Sequence, residues 1–483
     1  MVTVEPPRYK RDAIAFLMDK GALTVTPDQP KKLKSGRMSP HFLNSGLLDD
    51  GESVVNIGNA YAQAALDNIG ASEIEVVLGP PYKGISLSVM TAGGMHKLGH
   101  NVSYAFYRKE EKMHGEGTGK GETKAEAQKR VIVGKIPDNA KVILVDDVVT
   151  TGSTKLEALE VLDRVADCVK VTGGIILMDR QEVNEIGNAA VAELARESGV
   201  QFHAVVKLSD VIDYLEGTGH SAMQHLRSSL LNYAMAWGTP EIRAKYGLHQ
   251  ARFIPQERTV IPACDVDSIE KFEEVVKATA DLPTIGAYKI PLISGREGWQ
   301  AWVSAARRHT QKPLIYDGQK LGNDIPDTGR GVMQELKKAG FDAVILFPFT
   351  GPRTQTAWTG EAIQAGLKVI VGAEMTHPGF LQSEGGSITN EALTEIIQRA
   401  ARQGVTHYVY PGNKPESIRK IIGLIRAEGI EPTGFSPGFV AQGGSISEAA
   451  KAAEGTSYHA IVGRGIYAAK DMRAAAIELA RGL

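Results

Sequence analysis

"AKVILVDDVVTTGST" (residues 140–154) runs from an apolar stretch into two adjacent acids and then into a loop of small residues. The apolar run 142–145 reads as a buried strand. The following "TKLEALEVLDRV" (154–165) repeats apolar positions at helical spacing. A strand feeding such a loop and then a helix is half of a βαβ unit. Backbone N–H groups of Thr150, Thr151, Gly152, Ser153 and Thr154 can surround a phosphate at the helix N-terminus. Asp146 and Asp147 can accept hydrogen bonds from sugar hydroxyls. The plainer reading is a strand-to-helix turn with Ser153 or Thr154 as N-cap.

Working outward, "IEVVLGPPYKG" (74–84) and "GGIILMDRQE" (173–182) are further apolar runs ending in polar loops. With helical stretches between them, residues 1–217 predict an α/β domain with a parallel sheet. Residues 218–256 show helical pattern without strand signal and read as a connector. From Thr259 the rhythm becomes regular. "TVIPACD", "TIGAYKI", "PLIYDG", "AVILFPF", "KVIVGAEM", "HYVYPG", "EPTGFSPG" and "AIVGRG" are eight strand candidates, each followed by a helical stretch. Residues 257–483 therefore predict a (β/α)8 TIM barrel, whose sites lie at the C-terminal strand ends. Those ends carry Asp265, Lys289, Asp317 with Lys320, Thr376 with His377, and Arg464.

The bulk numbers narrow the setting. The 483 residues carry a formal net charge of -2, which gives no reason to expect nucleic acid or an anionic membrane as partner. Two cysteines, Cys168 and Cys264, suggest a reducing compartment. The N-terminus has no apolar secretory core, and no run approaches the roughly 20 apolar residues of a spanning helix. The expected location is the cytoplasm.

The strand, acid pair and "TTGST" loop resemble the diphosphoribosyl-binding signature of type I phosphoribosyltransferases. "LKSGRMSPHFLNSG" (33–46), "GPPYKGI" (79–85), "RKEEKMHGEG" (108–117) and "MDRQE" (178–182) follow the order found in the orotate phosphoribosyltransferase family, over roughly residues 10–215. The resemblance implies that Lys34 and Phe42 lie on the orotate side and that the Arg180 guanidinium meets the orotate ring. It puts Tyr82 and Lys83 in the pyrophosphate-side loop. Arg108, Lys109, Lys112 and His114 fall on a mobile catalytic loop that reaches a neighbouring subunit's site. The substrate implied is phosphoribosyl pyrophosphate (PRPP), with Mg2+ bound mainly through it and not by protein side chains. His41 and Leu43 stand where the family often has aromatics, which implies altered stacking on the orotate ring. The polar stretch "TGKGETKAEAQKRVIVG" (118–134) reads as a mobile lid with an insert, or as a disordered insert.

The barrel half resembles the orotidine 5'-phosphate decarboxylase family. "ACDVDS" implies a ribose contact for Asp265, and "YKIPLI" places Lys289 in a catalytic charge array. "EMTHPG" implies a pyrimidine contact for Thr376. "SPGFVAQGG" and "IVGRGIY" supply Gln442, Gly463 and Arg464 near the phosphate. Gly463 and Gly465, on both sides of Arg464, suggest close backbone approach to a ligand. By the same resemblance Asp317 is the carboxylate set beside the substrate carboxylate, and Lys320 delivers the proton. Lys289 and Asp324 orient the array, Asp324 coming from a partner subunit. No cofactor is implied for this half.

"DGQKLGND" spaces Asp317, Lys320 and Asp324 one residue wider in each interval than the family's D-x-K-x-x-D. In an unbroken strand Asp317 and Lys320 would face opposite ways. The chain is therefore expected to bulge or leave strand geometry at Gly318–Gln319. Asp327 reads as capping or solvated. The joined halves resemble the bifunctional uridine monophosphate synthase family, and shared sites imply a homodimer or homotetramer. Two other readings stand beside it. The barrel resembles metal-dependent sugar-phosphate decarboxylases and aldolases of the same superfamily, and the first half allows a PRPP-sensing regulatory domain.

Overall fold

The structure, a computed structural model, describes residues 6–109, 123–149, 153–218, 221–291, 298–318, 321–440 and 443–483. It divides into two compact units, Met1–Asn184 with Asn188–Tyr233 and Glu185–Gly187 with Ala234–Leu483.

In the first unit, β1 (Leu23–Val25) pairs antiparallel with β4 (His41–Leu43), and β2 (Lys31–Lys32) with β3 (Met38–Ser39). The main sheet holds β5 (Val76–Gly79), β6 (Ser103–Tyr107), β7 (Ile132–Gly134), β8 (Lys141–Val148), β9 (Lys170–Asp179) and β10 (Phe202–Lys207). Their order is β10-β9-β8-β5-β6-β7, parallel throughout except for β7 at the edge. β8 lies in the middle of the sheet between β5 and β9. That place explains its uninterrupted apolar run, because a strand covered on both faces has no solvent face to mark with polar residues. Val142 and Leu144 join Leu78, Ala158 and Leu162 in one buried cluster, so the helix Ser153–Val165 is held down on the sheet.

The described part of the polar stretch corrects the expectation of a disordered insert. Lys124–Val131 is a helix with a capping box between Thr123 and Glu126, and it leads directly into β7. Ala127 and Val131 bury an apolar stripe in the core, which holds this polar helix in place.

Between β10 and β11 the described chain is helical, with helices Leu208–Gly217, Ser221–Trp237 and Pro240–Tyr246. The division between units falls inside the second, after Tyr233. The second unit is a ring of eight parallel strands. They are β11 (Arg258–Pro262), β12 (Tyr288–Ile290), β13 (Leu314–Tyr316), β14 (Ala343–Leu346), β15 (Lys368–Val371), β16 (His407–Val409), β17 (Thr433–Ser436) and β18 (Ser457–Val462). Order β11-β18-β17-β16-β15-β14-β13-β12 closes through single parallel bridges, Val260 to Ile285 and Ala263 to Lys289. All eight strand candidates thus fall on barrel strands.

Inside the ring, Ile261, Ile315, Ile345, Ile370, Phe435 and Ile461 fill the core. At roughly 1.5–3 kcal/mol per buried large apolar side chain, this layer is a main source of the unit's stability. Phe253 and Ile254, just before β11, plug its N-terminal end, and Phe253 stacks on Phe435 at 5.6 Å. Arg243 is 1% exposed and has no carboxylate partner among the described residues. It donates instead to the carbonyls of Met235, Ala236 and Arg402, near the C-terminal ends of two helices, where a cation complements the helix dipole. Among the described residues no helix is long and apolar enough to cross a membrane.

Candidate active sites

Asp146 and Asp147 end β8 at its C-terminal edge and do different things. Asp146 is buried, with Oδ2 taking the Lys155 ammonium and Oδ1 taking the Asp147 N–H at 3.0 Å. Burial pushes the Asp146 carboxyl above its ordinary value, against the pull of Lys155. Lys155 also donates to the Val148 carbonyl at 2.8 Å, so it ties the strand end to the first turn of the helix. Asp147 is half-buried, held by Ser45 Oγ at 2.7 Å and by the Val148 N–H at 2.7 Å. Asp147 is therefore the more accessible acid, while Asp146 is largely engaged within the protein. Thr150, Thr151 and Gly152 fall outside the described residues, as does the Ser153 side chain. Thr154 lies in the first turn of the helix, with its carbonyl 3.4 Å from the Tyr107 hydroxyl.

The loop after β5 is packed tightly against this edge. A Cβ on Gly79 would lie 1.9 Å from the Gly84 carbonyl oxygen, and one on Gly84 would lie 2.8 Å from that of Val145. Only glycine permits both approaches, which set Tyr82 and Lys83 beside the end of β8. Both are exposed, and Lys83 opens the helix Lys83–Lys97. The Lys109 ammonium sits 5.6 Å from the Tyr82 ring centroid. Arg108 is turned inward, donating to the Arg130 carbonyl at 3.1 Å. Lys112 and His114 fall outside the described residues.

Lys34 is exposed in the tight turn joining β2 to β3, and Phe42 is half-buried under the Lys31 ammonium at 4.7 Å. His41 is 1% exposed and packs edge-on to Tyr233. Burial, helped by Arg180, pushes its imidazole down to about 3, so it is a neutral core group. Arg180 donates to Glu182 at 2.6 Å. Burial alone would lower the Arg180 value, but Glu182 and Tyr233 outweigh it and hold it above the ordinary range.

In the barrel, the ends of β11, β12 and β13 converge. The Lys289 ammonium donates to Asp265 at 3.1 Å and to Asp317. Lys289 and Asp317 side chains are 5% and 12% exposed, whereas Asp265 is 51% exposed and open to a ligand. Burial works against the Lys289 charge, but the two carboxylates outweigh it and hold the ammonium above the ordinary lysine value.

β13 ends at Tyr316, so Asp317 and Gly318 have already left strand geometry. The Leu321 N–H donates to the Gly318 carbonyl at 2.6 Å. Gly318 is required for space: a Cβ there would lie 2.5 Å from the Ile345 carbonyl oxygen. Lys320 falls outside the described residues. Asp324 is exposed, with Oδ1 taking the Ile325 N–H at 2.8 Å. Asp327 is exposed in the short turn Pro326–Thr328.

Thr376 is half-buried beyond β15, its carbonyl held by Asn413 Nδ2 at 2.8 Å. Arg464 is exposed just beyond β18, and its guanidinium has no protein partner among the described residues. Gly463 precedes it at φ -95°, ψ -96°. Gln442 falls outside the described residues.

The sequence reading missed Lys155, Ser45, Glu182 and Tyr233 in the first site, and Glu374 with Lys414 in the second. Lys155 had a signal, since a lysine in the first turn of a helix opposes the dipole unless an acid holds it. Glu374 is 1% exposed and pairs with Lys414 at 3.0 Å, and Lys414 also holds Glu384 at 2.6 Å, tying two loops at the barrel mouth. Nothing local in the sequence announces that pairing.

The family described as orotidine 5'-phosphate decarboxylase / HUMPS family matches residues 258–479, and that described as phosphoribosyl transferase domain matches residues 45–182. The orotate phosphoribosyltransferase of Methylococcus capsulatus is 36% identical over 232 residues, spanning 48% of this chain and 98% of that protein. That of Vibrio cholerae is 34% identical over 242 residues, spanning 50% of this chain and 99% of that protein. The solved orotidine 5'-phosphate decarboxylase of Pyrococcus horikoshii is 28% identical, covers 46% of this chain and 98% of its own, and superimposes with a TM-score of 0.39. The chain therefore belongs to the orotate phosphoribosyltransferase family through its first half and to the orotidine 5'-phosphate decarboxylase / HUMPS family through residues 258–479.

Proposed function

We propose that this chain makes uridine 5'-monophosphate (UMP) in two steps. Orotate and PRPP give orotidine 5'-phosphate and pyrophosphate, and decarboxylation of that product gives UMP. The observation that carries the reading is the pairing, in one chain, of these two families, the product of one being the substrate of the other.

In the first step the ring nitrogen of orotate replaces pyrophosphate at the sugar carbon, through a centre with oxocarbenium character. Asp147, the more accessible acid, accepts from the ribose hydroxyls, and Asp146 keeps the strand end in place. The loop from Thr150 to Thr154 takes the 5'-phosphate on its N–H groups. Arg180, Lys34 and Phe42 receive orotate. Tyr82, Lys83, Arg108, Lys109, Lys112 and His114 line or approach the pyrophosphate side, where cationic donors stabilise the departing charge. The donor set suits Mg2+, which binds through one or two carboxylates with substrate phosphates and water. Bound mainly through PRPP, the cation would neutralise the leaving group.

In the second step CO2 leaves a pyrimidine carbon with no adjacent electron sink, so a fixed charge array must lower the barrier. Lys289, clamped between Asp265 and Asp317, holds the Asp317 carboxylate in place beside the substrate carboxylate. Lys320 delivers the proton to the ring carbon. Asp265 takes the ribose, Thr376 the pyrimidine, and Gln442, Gly463 and Arg464 the phosphate, a group remote from the reaction whose binding energy supports closure. Asp324 is exposed and enters the site of a partner subunit, so the working form is a homodimer or homotetramer. The reading places the enzyme in the cytoplasm.

The test mixes protein, orotate, PRPP and Mg2+ and follows UMP. Orotidine 5'-phosphate accumulating without UMP would refute the second assignment, and no consumption of orotate would refute the first. Activity on orotidine 5'-phosphate that vanishes in EDTA would point instead to a metal-dependent sister chemistry.

A further inference from the structure

We infer that Glu182 and Tyr233 form the support that fixes the Arg180 guanidinium for its ligand. Tyr233 lies outside both family matches, which end at residue 182 and resume at 258. It would thus be a positioning residue contributed by the helix Ser221–Trp237. The inference rests on Arg180 contacting orotate.

Glu182 Oε1 receives two donors, Arg180 Nη2 at 2.6 Å and the Tyr233 hydroxyl at 3.0 Å. Arg37 Nη1 stands 3.9 Å from Glu182 Oε2 and donates to the Val183 carbonyl at 2.6 Å. The uncharged His41 ring closes the other side, its Nε2 3.7 Å from Glu182 Oε1 and its ring T-shaped to that of Tyr233 at 5.2 Å. The Glu182 side chain is 12% exposed and Tyr233 2% exposed, so the carboxylate has little freedom to turn. Glu182 and the Tyr233 hydroxyl therefore grip the guanidinium together, and of its five N–H groups they engage only part. The backbone between the two residues is pinned as well. Gln181 sits at φ +48°, in the left-handed region, with its N–H on Asp179 and its Oε1 taking the Ser209 N–H at 2.8 Å. A guanidinium held in this way suits a planar ring bearing a carboxylate, because little rotamer freedom remains to be lost on binding.

Tyr233→Phe keeps the ring packing on His41 and removes the hydroxyl that bonds Glu182 and Arg180. In the full-length protein it is expected to raise KM for orotate about tenfold, the effect of one hydrogen bond to a charged group. KM for PRPP, the melting temperature and decarboxylation of added orotidine 5'-phosphate stay at the parent values. Glu182→Gln raises the same KM further. An orotate KM within about twofold of the parent in both variants overturns the proposal. So does a joint rise of both KM values with a lower melting temperature, since that marks a structural role. If the parent protein does not consume orotate, the assignment of the first half fails and the inference falls with it. Parent activity with unaffected variants overturns the inference alone.

Discussion

Lys155→Met tests whether a charge at the helix start holds the PRPP edge together. The Lys155 and Asp146 side chains are 5% and 12% exposed, so solvent screening does little to weaken their pairing. Removing one partner of a buried pair costs about 3–5 kcal/mol, because the other charge stays buried without compensation. For a domain of this size each kcal/mol lowers the melting temperature by about 2–4 °C, so the first unit's transition drops by roughly 6–20 °C. The loss carries a pH signature. Burial already raises the Asp146 carboxyl above its ordinary 3.8, and deleting Lys155 removes the main force pulling it down. A carboxyl raised in the folded state contributes stability below its unfolded value and loses it as pH climbs towards the folded value. The loss runs at up to about 1.4 kcal/mol per pH unit. The variant's deficit should therefore be smaller at pH 5 than at pH 8. Calorimetry at both pH values measures this, with the barrel transition as internal reference. A deficit below about 1 kcal/mol, or one equal at both pH values, would refute the charge argument, since packing alone carries no such slope. Adding Asp146→Asn should restore much of the stability, because it removes the stranded charge.

Four further outcomes are expected. Asp317→Asn should slow UMP formation by about 10²–10³-fold and leave orotidine 5'-phosphate to accumulate, which chromatography of the reaction mixture detects. Arg243→Met leaves the carbonyls of Met235, Ala236 and Arg402 without their donor and should destabilise the barrel unit by about 2–4 kcal/mol in urea unfolding. His407 and His459 are pushed to about 3 by burial, so their stability contribution is lost as pH falls from about 6.5 towards 3; replacing both with Gln should flatten the slope of barrel stability between about pH 4 and 6. Gly318→Ala forces a Cβ to within 2.5 Å of a backbone oxygen and should lower kcat of the second step while orotate consumption persists.

The parts legible in the sequence were those whose physics is local. Parallel strands buried on both faces must be apolar runs, so β8 and the eight barrel strands announced themselves, and polar residues after several of these runs marked their C-terminal ends. What escaped notice depends on residues far apart in the chain. Lys155, nine positions from Asp146, is the exception, since its place in a first turn was a local signal. The Tyr233 contact with Glu182 spans 51 positions, and the Lys414 contact with Glu374 spans 40. The alternative of a disordered insert fails over Lys124–Val131 for a related reason: composition there signals disorder, but two apolar residues, Ala127 and Val131, suffice to dock the helix once a core exists to receive them.

In a strand the wide spacing of Asp317, Lys320 and Asp324 would set Asp317 and Lys320 on opposite faces, but Asp317 and Gly318 lie beyond the strand. Because β13 stops at Tyr316, alternation of side chains has already ended when Asp317 is reached, so an added residue does not turn Lys320 to the opposite face by period alone. The constraint has moved from register to room. Ile345 leaves no space for a side chain at position 318, and the bond from the Leu321 N–H to the Gly318 carbonyl draws the chain back at once. A glycine that looked like a point of flexibility is thus a point of contact, and the lengthened motif depends on it for steric reasons.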